Sequence, residues 1–278
     1  MQVGLIGCGN MARALARGWG RPLLCTDPIA ERARALAAEV DGEALASNAE
    51  LAARAELLVL CHKPAQLAAV AAEVGAGSPP VASILAATPL AALREAYPGR
   101  PVYRFIPSLP VEVRQGAVVQ AAGPGTLASG GSAGTRGDGN ADGTADGSGN
   151  AEGAALDAAV AELFAELGTL VVLDDALVDV AMGLMSCAPA YVALVAEAQV
   201  DAGVRRGIPA AQGSELVVQT LAGTAELLRR RNYDTLAIRR EVSSPGGLTA
   251  RGVDALERAG LRSAFSDALD AVLDGNRR

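Results

Sequence analysis

The feature that most constrains this chain is the turn Gly7-Cys8-Gly9-Asn10-Met11-Ala12, set between a short apolar run at 3–6 and helical spacing at 11–19. A strand that ends in Gly-x-Gly and turns directly into a helix aims free backbone N–H groups at whatever lies over the helix N-terminus. Gly7 permits the tight turn, Gly9 lets a pyrophosphate approach the backbone, and Ala12 is small enough for close helix–strand packing. Asp27 closes the next apolar run, 23–26, at the spacing expected of a ribose-binding carboxylate. With Pro28 it equally suits a helix cap, and both roles stay open. An Asp here accepts from a ribose 2′-OH and repels a 2′-phosphate, whereas Arg32 and Arg34 just downstream would offset that repulsion. NADH and NADPH therefore both remain candidate cofactors.

The rest of the first half repeats the pattern. Helical spacing at 30–39 and from Asn48 leads to a strongly apolar strand at 57–61. Helices at 64–74 and 89–97 then alternate with strands at 81–85 and 102–106. Strand–helix alternation with continuous apolar strands predicts a parallel sheet covered on both faces, so an α/β, Rossmann-type domain. Residues 122–153 are a different material, rich in Gly and filled out mainly by Ser, Thr, Asp, Asn and Ala. They bury too little apolar area to offset their ordering entropy, which predicts a flexible insertion. A helix at 154–167 and a strand at 169–173 return to the sheet. From 177 onward only helical spacing remains, with breaks at 207–209, at Asn232, at 244–247 and at Gly260. The expected division is a dinucleotide-binding domain at 1–174 and an all-helical domain at 175–278. Spacing at 191–204 is apolar nearly all round, and a partner subunit is the natural cover for a second apolar face.

Composition narrows the function. A formal net charge of −7 excludes a broad nucleic-acid surface, which needs clustered basic residues. Cys8, Cys25, Cys61 and Cys187 show no metal-ligand spacing, so no metal is expected and a reducing cytoplasm is the default. The apolar start lacks a basic leader and breaks at glycine, as a buried strand does. No charge-free apolar stretch reaches the length of a membrane span.

Two further constellations carry chemistry. Cys61-His62-Lys63-Pro64 stands at the C-terminal end of a buried strand, the end that lines the ligand crevice in open α/β sheets. His62 and Lys63 are the only histidine and the only lysine in the chain. Lys63 can reach a ribose or a substrate carboxylate, and Pro64 can start the following helix. In the second half, Ser243-Ser244-Pro245-Gly246-Gly247-Leu248-Thr249 opens a helix with free N–H groups and a hydroxyl. That combination suits a carboxylate, or else an ordinary capped turn.

Together these segments resemble the pyrroline-5-carboxylate reductase family. The family's SPGGTT-like motif matches 244–249, and its E-x-G-G-[FL]-R run matches Glu257 to Arg262 with Ala259 for the first glycine. Pro189-Ala190-Tyr191, Asp201-Ala202-Gly203-Val204 and Gly207-Ile208-Pro209 also fit, as do Asn48, Lys63-Pro64 and the run from Arg104 to Pro110. The resemblance implies a Rossmann domain followed by a helical dimerisation domain, and therefore a homodimer or an assembly of dimers. It implies hydride transfer from NADPH or NADH to the C=N carbon of a cyclic imino acid, 1-pyrroline-5-carboxylate, the last step of proline synthesis. By the same resemblance Gly7, Gly9, Asn10, Met11, Asp27, Asn48, Lys63, Pro64 and Ser108 would line the cofactor site. Ser244, Gly246, Gly247 and Thr249 would bind the substrate carboxylate.

The chain departs from the family near the chemistry. Ser108 stands where the family has Asn, and Met182 where it has the threonine taken as proton donor. Met185 to Ala188 replace a run of Ser and Gly. A thioether cannot donate a proton. These changes keep two alternatives open: reduction of another imine or carbonyl, or a degenerate cofactor-binding protein.

Overall fold

Val3 and Leu5 of strand β1 (Val3–Ile6) enter one hydrophobic cluster and Ile6 enters another, and along β4 (Leu57–Leu60) Leu57 and Val59 part from Leu58 and Leu60 in the same way. Successive strand side chains point to opposite faces, so two clusters mean a sheet buried on both sides. Helices α1 (Asn10–Trp19) and α2 (Ala30–Glu39) cover one face, together with α6 (Gly147–Ala165). Helices α3 (Asn48–Arg54), α4 (Leu67–Val74) and α5 (Leu90–Ala96) cover the other. Most of this core is Ala, Val and Leu. Its few aromatics concentrate at one point, where Phe105 stacks on Phe164 at 3.8 Å and the Trp19 ring meets Phe164 edge-on at 5.6 Å.

The computed structural model describes residues 1–77, 79–123 and 147–276. The remaining strands are β2 (Leu24–Thr26), β3 (Glu43–Ala44), β5 (Val81–Ser83), β6 (Val102–Pro107), β7 (Gly116–Ala121) and β8 (Gly168–Leu173). They form one sheet in the order β3-β2-β1-β4-β5-β6-β7-β8. From β1 the chain goes first to β2 on one side and later to β4 on the other. The crevice at such a reversal is where open α/β sheets bind ligands.

The sheet differs from the sequence expectation in holding β3 and β7, neither of which was expected, and β7 runs antiparallel to β6. The connection between them is a short 3₁₀ turn, Leu109–Val113, too brief for the crossover that a parallel return requires. Strand β8 then pairs parallel to β7 through α6. Of the expected insertion, 124–146 lie outside the described residues. From Gly147 the chain is already in α6, earlier than the helix start expected at 154.

The chain forms two compact units, Met1–Cys187 and Ala188–Arg278, so that segment 175–187 packs with the first. The reason is visible in the segment 175–187. Arg104, 1% exposed, donates to Asp175 Oδ1 at 2.8 Å and Asp179 Oδ1 at 2.5 Å. Val178, Ala181 and Met182 are buried, and the Ser186 hydroxyl donates to the Pro107 carbonyl at 3.1 Å. This segment comprises α7 (Val178–Ala181) and a π-helical turn, Met182–Ser186, both belonging to the first unit.

The second unit is helical throughout: α8 (Ala188–Val204), α9 (Ala210–Arg230), α10 (Thr235–Glu241), α11 (Leu248–Arg258) and α12 (Leu261–Asn276). Helix α8 has no buried residue, and Val192, Leu194, Leu216, Val218 and Leu248 are each more than half exposed. Among the described residues one helical run, Asp175–Val204, is long and apolar enough to cross a membrane by length and composition, with mean hydropathy 1.7. The same run carries acidic residues toward both ends, Asp175 and Asp179 at one and Glu197 and Asp201 at the other.

Candidate active site

Gly7 is the pivot of the first unit's site. Its φ is +99°, and a Cβ there would lie 2.8 Å from the His62 nitrogen and 2.9 Å from the Cys61 carbonyl carbon and oxygen. The glycine loop after β1 and the loop after β4 therefore touch through backbone, and only glycine lets them. Gly7 N–H also donates to the Thr26 carbonyl at 2.8 Å, which brings in the end of β2. Three strand ends thus converge on one residue.

Gly9 is the N-cap of α1, and nothing lies within 4 Å of the position its Cβ would take. No side chain caps this helix. Its first N–H groups have no partner within the helix, and its positive dipole end faces open space. Those are the two requirements of a phosphate cradle, so the residues present fit a dinucleotide pyrophosphate.

Asp27 Oδ2 accepts from Cys8 N–H at 2.8 Å and Oδ1 accepts from Ile29 N–H at 2.8 Å. The N-cap of α2 is Ile29, so Asp27 ties the glycine loop to the end of β2 instead of capping that helix. Behind it the Thr26 hydroxyl donates to Asn48 Oδ1 at 2.6 Å, and Asn48 Nδ2 donates to Glu73 Oε2 at 2.6 Å. A cavity of about 550 Å³ opens beside these groups, lined in part by Gly7, Asp27, Asn48, His62, Gln66 and Glu73. The loop thiols are packing groups. Hydrogen bonding with Cys25, then burial, holds the Cys8 thiol far above its ordinary range, and burial does the same to Cys61.

His62 Nδ1 lies 2.9 Å from the Lys63 carbonyl oxygen, so that nitrogen carries the proton; Nε2 is buried and unpartnered. Burial pushes the imidazole below its ordinary pKa, against a smaller opposing effect of the carbonyl bond. The ring is therefore neutral around pH 7.

The other expected cofactor residues are dispersed. Asn10 is exposed at the start of α1, and Met11 packs partly against the core. Lys63 is exposed on the β4 loop, and Pro64 lines a separate apolar groove between α4 and α5, not the cavity beside Asp27. Ser108 is buried at the end of β6. Its hydroxyl accepts from Ala117 N–H at 2.9 Å, while its own N–H donates to the Ala117 carbonyl at 2.9 Å, fastening β6 to β7. Met182 opens the π turn beside Pro107, and single π turns recur at functional sites.

In the second unit, Gly247 is the N-cap of α11 and donates to the Ser244 carbonyl at 3.0 Å. Gly246 takes φ +66°, and a Cβ on Gly247 would fall on the Ser244 hydroxyl. The turn itself thus requires glycine at 246, and a side chain at 247 would displace the Ser244 hydroxyl. The result is an uncapped helix start with Ser244 and Thr249 at its mouth, suited to a carboxylate. The run 257–262 is structural: Arg262 forks onto Glu257 at 2.8–3.0 Å across Gly260, whose φ is +81°.

Sequence reasoning missed Thr26, Gln66 and Glu73 as neighbours of the cofactor residues. Only the fold brings α4 beside the end of β2, so no local signal marks them.

Residues 175–278 match the family described as pyrroline-5-carboxylate reductase dimerisation, and residues 2–87 match NADP oxidoreductase coenzyme F420-dependent. A pyrroline-5-carboxylate reductase of Synechocystis is 32% identical over 98% of this chain and 96% of its own length. That of Thermus thermophilus is also 32% identical, with the same coverage. The crystal structure of the Streptococcus pyogenes 1-pyrroline-5-carboxylate reductase superposes with a TM-score of 0.81 at 26% identity, covering 99% of this chain and 98% of that one.

Proposed function

Because this chain belongs to the pyrroline-5-carboxylate reductase family, we propose that it reduces the C=N bond of 1-pyrroline-5-carboxylate to give proline, with NADH or NADPH as hydride donor. The observation that carries the reading is the uncapped N-terminus of α1 over an open Gly9, joined to a cavity bordered by Asp27. The dihydronicotinamide supplies the hydride when bound. What remains for this chain is to hold the pyrophosphate at Gly9 and Asn10, to accept ribose hydroxyls at Asp27, and to anchor the substrate carboxylate. The anchor is the α11 N-terminus, with Ser244, Gly246, Gly247 and Thr249.

Reduction also puts a proton on nitrogen. Met182 cannot provide it. An imine nitrogen is basic enough to arrive as the protonated iminium, which makes a side-chain donor dispensable at some cost in rate. General acids contribute on the order of 10²–10⁴-fold, so the expected phenotype is a slow reductase. Met182 is the specific observation favouring a different imine as substrate.

The exposed apolar residues of α8 and α9 fit burial against a second copy, at about 25 cal/mol per Å² of apolar area covered. A homodimer or assembly of dimers accounts for the apolar run Asp175–Val204 without a bilayer. The buried thiols suit a reducing cytoplasm.

Steady-state assay with 1-pyrroline-5-carboxylate and each coenzyme, beside complementation of a proline auxotroph, tests the reading. Turnover and growth are expected. Dinucleotide binding without turnover of this substrate would shift the function to another imine. Light scattering at micromolar concentration should show no monomer.

A further inference from the structure

Resting on the reading that the glycine loop holds a reduced nicotinamide dinucleotide, we infer that this chain selects NADH over NADPH, with Asp27 as the discriminating residue and Glu73 as a second contributor. The adenosine ribose of a dinucleotide held at α1 lies against the end of β2. There the structure has Asp27, and the cavity beside it brings Glu73 from α4 to the same space.

Both carboxylates are fixed. Asp27 is tied by one N–H on each oxygen, from Cys8 and Ile29, and so cannot swing aside for a second anion. A carboxylate has about four acceptor positions, so two remain for a ribose hydroxyl to donate into. Glu73 is held by Asn48, which is held in turn by the Thr26 hydroxyl. A ribose diol offers donors to this wall of acceptors. A 2′-phosphate offers only oxygens and close to two negative charges.

Among the described residues, nothing lining the cavity compensates. Its lining residues contain no Arg and no Lys. His62, which does line it, keeps its proton on Nδ1 against the Lys63 carbonyl and brings no positive charge. Arg32 and Arg34, the next cations downstream in sequence, are exposed on α2 and absent from the lining. Arg34 is paired with Glu31 at 2.6 Å.

The test is equilibrium binding to the full chain, by calorimetry, of NADH, NADPH and the fragments 5′-AMP and 2′,5′-ADP. The fragments isolate the 2′ position without any turnover. NADH should bind at least about tenfold tighter than NADPH, and 5′-AMP tighter than 2′,5′-ADP, as like-charge repulsion at a partly buried site requires. Asp27→Asn removes the charge while keeping an acceptor for one of the two loop N–H groups, and should narrow both ratios. Glu73→Gln, on an exposed residue that leaves the loop untouched, should narrow them less. NADPH binding as tightly as NADH to the unmodified chain overturns the inference, as do ratios unmoved by both variants. Binding of neither coenzyme overturns the dinucleotide reading itself.

Discussion

Substituting Gly7 and Gly9 separately should divide folding from coenzyme binding, although the two lie only two residues apart. For Gly7→Ala two costs follow from the structure. The residue sits at φ +99°, which costs a side-chain-bearing residue about 1–3 kcal/mol. Its Cβ would also press on the Cys61 and His62 backbone at 2.8–2.9 Å. That backbone cannot retreat freely, because Cys61 N–H is bonded to the Ile6 carbonyl at 2.8 Å and Gly7 N–H to Thr26 at 2.8 Å. Forced overpacking adds about 1–3 kcal/mol. The sum, about 2–6 kcal/mol, should lower Tm by at least about 4 °C for a unit of this size. Gly9→Val meets neither cost: φ is −74°, and nothing lies within 4 Å of the Cβ position. It loses at most about 1 kcal/mol through a weaker N-cap. The branched side chain instead fills the space over the α1 N-terminus, where the pyrophosphate must come. Affinity for either dinucleotide should fall on the order of 100-fold, or ~2.7 kcal/mol. Thermal unfolding without ligand and calorimetric titration of each variant read the two effects apart. An unchanged Tm for Gly7→Ala would refute the close approach of the two loops. Normal coenzyme binding by Gly9→Val would refute the helix N-terminus as the site.

Three further outcomes are expected. Met182→Thr restores a hydroxyl at the family's donor position and should raise kcat by about tenfold or more, toward the roughly 10²–10⁴-fold that general acids contribute; an unchanged rate with intact coenzyme binding would mean that this position supplies no proton. Asp175→Ala takes one of two carboxylates from the buried Arg104 and the acceptor from Leu90 N–H, and should cost about 2–4 kcal/mol in denaturant unfolding. A loss under about 0.5 kcal/mol would show that the acidic pair does not hold the 175–187 segment to the first unit. His62 has its pKa lowered by burial, so the unfolded chain takes up this proton at higher pH than the folded one. Its stabilisation is full above its unfolded pKa of about 6.5 and declines as the pH falls below that value. Tm measured between pH 8 and pH 5 should therefore drop less in His62→Gln than in the unmodified chain, and equal slopes would contradict the sign.

The first unit was legible because its signals are local. A Gly-x-Gly turn between an apolar run and a helix, then an acid closing the next run, is written within Val3 to Asp27, and the α/β alternation follows from period and length alone. The turn at 244–249 was legible for the same reason: Gly246 needs positive φ, and Gly247 must spare the Ser244 hydroxyl. Strand β7 was not foreseen. Its six residues, Gly-Ala-Val-Val-Gln-Ala, make a short run without a helix before it to mark a strand–helix unit, and its direction is set by the preceding short turn. The packing of 175–187 with the first unit was also hidden, because it depends on Arg104 reaching residues more than seventy positions away. Asp27 shows the division most clearly. The sequence determines that a carboxylate follows β2, but leaves open whether it caps a helix or faces a ribose. Tertiary structure sets its surroundings, by bringing Cys8 N–H to one oxygen and Ile29 N–H to the other and by carrying Glu73 into the same cavity from a helix almost fifty residues away. Covalent order fixes what each residue can donate or accept. Only the packed sheet, by closing the distances between strand ends, fixes which donors and acceptors meet.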